Sequence, residues 1–273
     1  MKINQDLAAL HGYLCGDGYV TRNSKHQKHV YYHTALRNTN LVLLKDFQSR
    51  FYNYFKIKPI IYKNERAIVY SKEIYHKLVN EFGSFYSREW KIPKFNKINL
   101  RNWLRAFYDC EGWVELQKAK SRVIGLQSIN KSGIRAVQRG LSNFNINSSL
   151  KYKNNRDIWD LRICGLDDLK RFAKYINFLH PNKNEKLKQA INSYVNYNWN
   201  IPKNKKELLE FIKAKGKIRK NTQQIKVHTI KLNNLIKIKR LLNKYNIKSK
   251  IHGPWKNQHG SINYYLTLNK KVL

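Results

Sequence analysis

The sequence predicts an α+β protein built from repeated units, each running helix, strands, helix, strands, helix. Three observations predict it. The segment "LHGYLCGDGYV" (10–20) aligns without a gap on "LRAFYDCEGWV" (104–114), placing Leu10 on Leu104, Gly12 on Ala106, Asp17 on Glu111 and Gly18 on Gly112. Self-similarity of this kind, with a few residues of loop difference between the copies, marks a duplicated structural unit. The stretches that follow are alike too: "FQSRFYNYFKIKPIIYKNERAIVY" (47–70) and "VQRGLSNFNINSSLKYKNNRDIWDLRI" (137–163) each read as a helical stretch, an aromatic-x-Ile, and two strands around a polar turn, KNER or KNNR. Alternating segments such as "KHVYYHTAL" (28–36) and "RDIWDLRI" (156–163) suit half-buried strands.

Each unit opens on an apolar helix with small residues four apart, Gly12 and Gly16 in the first copy, Ala106 and Cys110 in the second. Residues four apart share a helix face. Small ones let two backbones approach closely, so these four are the expected helix interface. Gly18 and Gly112 stand where a left-handed helix cap is expected. The candidate linkers are 83–100 and 196–206, both loop-like with a proline. A third copy is fainter: "WNIPK" (199–203) echoes "WKIPK" (90–94), and "LLEFIKAKGKI" (208–218) takes the place of "LRAFYDCEGWV" with Lys215 at the acid position. The expected division is a first repeat over 1–88, a second over 89–197, and a basic C-terminal extension over 198–273, read as a degenerate third repeat.

The chain has 273 residues, 42% of them hydrophobic, so it can bury real cores. Its 54 Lys and Arg against 17 Asp and Glu give a formal net charge of +37. Self-repulsion at that charge opposes compaction, and a polyanionic partner, nucleic acid first, relieves it. No apolar run approaches the roughly 18 residues that span a bilayer. The start, "MKINQDLAALHGYL", lacks a signal-peptide core followed by a cleavage site. A soluble intracellular protein, without a membrane partner, is expected. Cys15, Cys110 and Cys164 show no CxxC spacing, which argues against a disulfide framework or zinc ribbon. Lys, Asn and Ile are abundant, as an AT-rich gene would make them, and no chemistry is drawn from that.

The acids carry the functional argument. If the two small-faced helices pair, their C-termini end level and Asp17 meets Glu111 near a pseudo-twofold axis. Two carboxylates at two helix C-termini repel each other and the dipole ends. A divalent cation resolves the conflict, and hard oxygen ligands suit Mg²⁺ in contact with a phosphate. Metal-assisted phosphodiester hydrolysis follows.

Both segments resemble the LAGLIDADG signature of homing endonucleases: the last acid before glycine in that motif matches Asp17 in "LCGDG" and Glu111 in "YDCEG". "IPKFNKINLRNWLRAFYDCEGWV" likewise looks like the approach to a second motif, and the resemblance covers roughly 1–195. It implies a single-chain, two-motif member: a pseudo-twofold pair of αββαββα repeats whose antiparallel sheets bind the DNA major groove. It implies cleavage of both strands of a long double-stranded target, one catalytic acid per half, Asp17 and Glu111, and a role in intron mobility. The metal set is Asp17, Glu111 and the residues before them, Gly16 and Cys110. Mg²⁺ is the expected cofactor, with Mn²⁺ substituting and Ca²⁺ binding without supporting cleavage. The chain departs from the pattern where polar or basic water-orienting residues are usual. The strand positions that align there hold Leu36 and Ile129, and Val114 stands where a Lys would be attractive.

Phosphate contacts need Lys and Arg, and base reading needs side chains projecting from one sheet face. The candidates are Arg22, Lys25, Lys28, Arg37, Lys63 and Arg66 in the first half, and Lys118, Lys120, Arg122, Lys151, Lys153 and Arg156 in the second. The run "KAKGKIRK" (213–220) is expected to grip backbone outside the central site. A monomer is expected. The competing reading keeps the scaffold with weak or no cleavage, as an intron-RNA maturase or a DNA-binding regulator.

Overall fold

Asparagine starts most of the helices. The side chains of Asn4, Asn40, Asn96, Asn130 and Asn204 each accept from backbone N–H groups of the first helical turn that would otherwise lack a partner. The structure, a computed structural model, describes residues 2–23, 29–117, 121–195, 197–218, 222–256 and 262–272. It divides into two units, Met1–Tyr194 and Val195–Leu273.

In the first unit α1 (Gln5–Cys15), β1 (Gly18–Arg22), β2 (Tyr32–Arg37), α2 (Leu41–Phe55), β3 (Ile60–Tyr62), β4 (Arg66–Tyr70) and α3 (Lys72–Phe82) form one αββαββα repeat. The second repeat is α4 (Lys97–Glu111), β5 (Gly112–Gln117), β6 (Ser121–Ser128), α5 (Lys131–Ser142), β7 (Ser149–Lys153), β8 (Ile158–Cys164) and α6 (Leu166–Tyr175). A further helix, α7 (Pro181–Asn192), follows. The sheets are antiparallel, ordered β1-β2-β4-β3 and β5-β6-β8-β7.

Side chains alternate between faces along a strand, so register sorts them. In the first sheet the rows Gly18–Leu36–Ala67–Ile61 and Val20–Thr34–Val69 hold the residues that join the core. The opposite face carries Thr21–His33–Tyr70 and Arg37–Arg66–Tyr62. In the second sheet Val114–Ile124–Ile163 and Gly112–Leu126–Leu161–Leu150 face the core, and Gln127–Asp160–Lys151 lies on the other side. Buried residues of both repeats form one continuous core.

The two repeats meet along α1 and α4. A Cβ on Gly12 would stand 2.5 Å from the Trp103 carbonyl oxygen, and one on Gly16 would stand 2.5 Å from Cys110 Cβ. Gly12, inside α1, costs that helix about 1 kcal/mol relative to alanine, and only the missing side chains of the two glycines permit this approach. One buried hydrogen bond crosses the seam, from Trp103 Nε1 to His11 Nδ1 at 2.7 Å.

The left-handed caps expected at Gly18 and Gly112 are absent. Gly16, not Gly18, caps α1, with φ −90° and ψ −110°, and Gly112 is extended at φ −80° and ψ 155°. Each repeat passes almost directly from helix into strand. The glycines answer crowding instead: a Cβ on Gly18 would lie 2.6 Å from Leu14 Cα, and one on Gly112 would lie 2.6 Å from the Tyr108 carbonyl oxygen.

The second unit contains α8 (Lys205–Lys215), β9 (Gly216–Ile218), β10 (Gln224–Thr229), α9 (Leu232–Lys244), β11 (Ser249–Lys256) and β12 (Ile262–Asn269). Its strands run β9-β10-β12-β11, the same order as in the two repeats, around a core of its own that includes Leu208, Ile225, Leu235 and Leu266. Among the described residues no helix is long and apolar enough to cross a membrane.

Candidate active site

Asp17 follows the end of α1 and Glu111 is the last residue of α4, so pairing of these helices brings one acid from each repeat to the same end of the seam. The two charges sense each other. Glu111 is exposed at the rim, yet the helix ends around it push its carboxyl up to about 7, through desolvation first and then repulsion from Asp17, while Lys183 pulls the other way. A cavity of about 270 Å³ opens beside Glu111, lined also by Gln127, Ser128 and Ile129. It has room for several waters.

The acids are dressed differently. Asn38, one residue past β2, donates Nδ2 to Asp17 Oδ2 at 2.7 Å. This bond fixes one carboxylate oxygen and leaves the charge unneutralised. At the other end Lys183 donates to the carbonyl oxygens of Asp109 (2.6 Å), Cys110 (3.1 Å) and Tyr108 (3.4 Å), the free end of α4. Lys183 occupies the third position of α7, where the helix dipole opposes a cation. The carbonyls of α4 and the nearby acids compensate it. Desolvation lowers its pKa, and Asp109, Cys110, Asp17 and Glu111 oppose that shift.

Asp109 completes the junction. Its carboxylate accepts from the Leu179 and His180 backbone N–H groups at 2.9–3.1 Å, just ahead of α7. Burial raises its pKa to about 6 despite those bonds. The N-terminus of α7 thus abuts the C-terminus of α4, with opposite partial charges in register.

The donor set fits a hard divalent cation in kind. Asp17 and Glu111 supply carboxylate oxygens, and the peptide oxygen is the only donor that Gly16 can offer. Burial holds the Cys110 thiol well above its usual pKa, so it stays protonated, and its carbonyl already accepts from Lys183. Among the described residues no group of three or more His, Cys, Asp and Glu is gathered. Further ligands would have to be water and phosphate.

The structure separates the expected DNA contacts. Arg37 and Arg66 are cross-strand partners on the face turned from the core, and Arg66 and Lys63 both lie over the Tyr62 ring. Lys151 and Lys153 share the corresponding face of the second sheet, where Lys153 and Arg162 each meet Asp160 at 2.8 Å. Arg156 is exposed in the turn between β7 and β8. Arg22 is exposed at the strand end, but its register with Tyr32 puts it at the rim of the core side. Arg122 also departs from expectation. It stacks on Tyr194 and donates to the Ser193 hydroxyl at 2.6 Å and the Ser193 carbonyl at 2.9 Å, which ties β6 to the end of α7. Lys25, Lys28, Lys118 and Lys120 lie outside the described residues.

The expected alignment of Leu36 with Ile129 shifts as well. Gly18 pairs with Leu36 and Gly112 with Leu126, so Leu36 and Leu126 are equivalent, and both are fully buried. Two residues beyond them stand Asn38 and Ser128. Sequence reasoning missed Asn38 and Lys183. A lysine three residues into a proline-started helix, against the dipole, was the available signal for the second.

A family profile for the LAGLIDADG-like domain matches residues 4–87 and 99–177. A relative, the homing endonuclease I-ApeI of Aeropyrum pernix, is 28% identical over 193 residues, covering 66% of this chain and 86% of that protein. The replication factor C small subunit of Pyrococcus horikoshii is 29% identical over 187 residues, which are 68% of this chain and 19% of that protein. The crystal structure of I-DmoI in complex with DNA and Ca has a similar fold, with a TM-score of 0.50 at 18% identity, covering 67% of this chain and 96% of that one. The matched segments cover nearly all of the two repeats, and the profile ends before the second unit. With more than half of its length matched, the chain belongs to the LAGLIDADG-like domain family.

Proposed function

We propose that the protein is a divalent-metal-dependent homing endonuclease that cuts both strands of a long duplex DNA site between the ends of α1 and α4. The observation that carries this reading is the pairing of Asp17 and Glu111, one from each repeat, at the end of a glycine-packed helix seam. The similarity to I-ApeI supports it. Asp17 and Glu111, with the Gly16 carbonyl, would hold Mg²⁺. When bound, the ion supplies Lewis-acid stabilisation of the scissile phosphate and lowers the pKa of bound water. The chain's own groups set the stage. Asn38 fixes the Asp17 carboxylate, and Lys183 limits the repulsion between the acids before any ion binds. Glu111, pushed up to about 7, must give up its proton to act as a ligand. The open sheet faces, with Arg37, Arg66 and Lys151, bear on the DNA.

The test is digestion of genomic DNA from the organism carrying the gene, with breaks mapped by end sequencing in Mg²⁺. Discrete double-strand breaks are expected, and Asp17→Asn and Glu111→Gln should each lose them by more than about 100-fold, beyond the ~10–100-fold that outer-shell groups contribute. Retained cutting by both variants would put the site elsewhere. A second reading, binding without cleavage, is favoured by the buried leucines Leu36 and Leu126 and by the lack of a third gathered acid among the described residues. Tight target binding with no breaks in Mg²⁺ or Mn²⁺ would select it, and stimulation of intron splicing would mark a maturase.

A further inference from the structure

The second unit is the most one-sidedly charged part of the chain. After Glu210 the remaining 63 residues contain 16 Lys and Arg and no Asp or Glu. Its two acids, Glu207 and Glu210, are both on α8, and Glu207 is occupied in capping that helix. The sheet therefore carries no acid at all.

The register gathers part of this charge on one face. Ile225, Val227, Leu266 and Leu268 pack with Leu208, Ile212, Leu235 and Ile238 of the helices. The alternate residues point away. Lys217 pairs with Lys226, Lys226 with Thr267, and Thr267 with Lys250, which makes one row across all four strands. Beside it His228, Tyr265 and His252 form a second row. Like charges placed directly opposite, as in Lys217 and Lys226, destabilise a sheet. Burial does not explain them, since Lys217 and Lys250 are exposed. A cleft of about 360 Å³ opens at the β9 edge, lined by Lys215, Lys217, Lys226, His228, Tyr197 and Trp199.

We infer that this face is a second DNA-binding surface, one that grips the phosphates of duplex DNA and cuts nothing. Charge complementarity names the partner as a polyanion. The face also argues for a duplex over a single strand. A single-strand groove offers successive free rings for base stacking. Here the Tyr265 ring is covered by Lys226 Nζ at 3.6 Å and by stacked His252 at 4.7 Å. Trp255, near the end of β11, is the ring left open on that strand. B-form DNA admits strands into its major groove, whereas the A-form groove of RNA is too deep and narrow. At the position of Asp17 and Glu111 this unit has Lys215, so it holds no carboxylate for a metal.

The test uses the full chain, a fluorescent 30-base-pair duplex of random sequence, and EDTA to exclude cutting. Affinity is measured across a salt series for wild type, for Lys217→Gln/Lys226→Gln/Lys250→Gln, and for a control of equal charge on the helices, outside the run 213–220, Lys206→Gln/Lys237→Gln/Arg240→Gln. The sheet variant should lower the slope of log K against log salt by about 2–3, with an affinity loss of roughly tenfold or more at 0.1 M salt, and the control by less than about 1. The sheet variant should also melt close to wild type, because relief of the Lys217–Lys226 repulsion offsets the lost Lys226 contact with the Tyr265 ring. Equal effects from both triples, no change from either, or tighter binding to single-stranded RNA of the same sequence would overturn the assignment. Cleavage is not read, so this result stands apart from the fate of Asp17 and Glu111.

Discussion

The ends of α1 and α4 carry the same motif and solve the same electrostatic problem in different ways. Asp17 is held by a neutral amide, Asn38, and Cys15, the residue matching Asp109, is a buried thiol. Glu111 ends a helix whose last carbonyls are filled by Lys183 and whose Asp109 receives the start of α7. The repeat fixed where the acids stand, and divergence changed what surrounds them. One end orients its carboxylate and leaves the charge intact, while the other offsets charge with a resident cation. The two halves should therefore respond to substitution with opposite signs.

The largest expected effect of that asymmetry is at Asn38. Asn38→Ala should weaken Ca²⁺ or Mn²⁺ binding, read by calorimetry, by about 10–100-fold, as loss of a group orienting a metal ligand does. Lys183→Met should do the reverse. Removing a cation next to the site should tighten divalent-ion binding by about two- to tenfold, while the melting temperature falls because three α4 carbonyls lose their donor. Weaker binding in both variants would break the comparison and make Lys183 part of the metal-holding machinery.

The smallest effect concerns the seam itself. His11 is buried between the helices, and desolvation depresses its pKa from 6.5 to about 3. A depressed histidine is neutral in the folded state and binds a proton on unfolding. Its contribution is full above pH 6.5 and is lost as pH falls toward 3, at up to roughly 1.4 kcal/mol per pH unit. Asp109 and Glu111, with raised values, act in the opposite sense. The informative quantity is thus the difference between wild type and His11→Gln, which keeps an acceptor for the Trp103 indole. Urea midpoints at pH 7.5 and 5.5 should show the wild type losing more stability on acidification. Equal losses would mean that His11 is already charged or exposed.

The helix seam was legible in the sequence because packing there depends on local spacing: Gly12, Gly16, Ala106 and Cys110 lie four apart on their helices whatever the loops do. The acids were legible because duplication displays them twice. Asn38 and Lys183 were not, because they reach the site through strand register and through a helix that arrives some 70 residues after the motif. Register also puts Arg122 on the same side of its strand as the buried Ile124, and a one-residue shift along a strand exchanges its two faces. The glycines after the helices have the position of left-handed caps, but what they supply is space beside Leu14 and Tyr108. The frequent asparagines, which an AT-rich gene alone would supply, begin five helices among the described residues.

On the proposed mechanism Asp17 and Glu111 share one divalent-cation site. A crystal grown with Mn²⁺ and duplex DNA, with anomalous scattering recorded at the manganese edge, tests it directly. An anomalous peak is expected at the paired ends of α1 and α4, within coordination distance of both carboxylates, and should be lost in Asp17→Asn/Glu111→Gln. Peaks elsewhere, or no peak there while the DNA is bound, would contradict it.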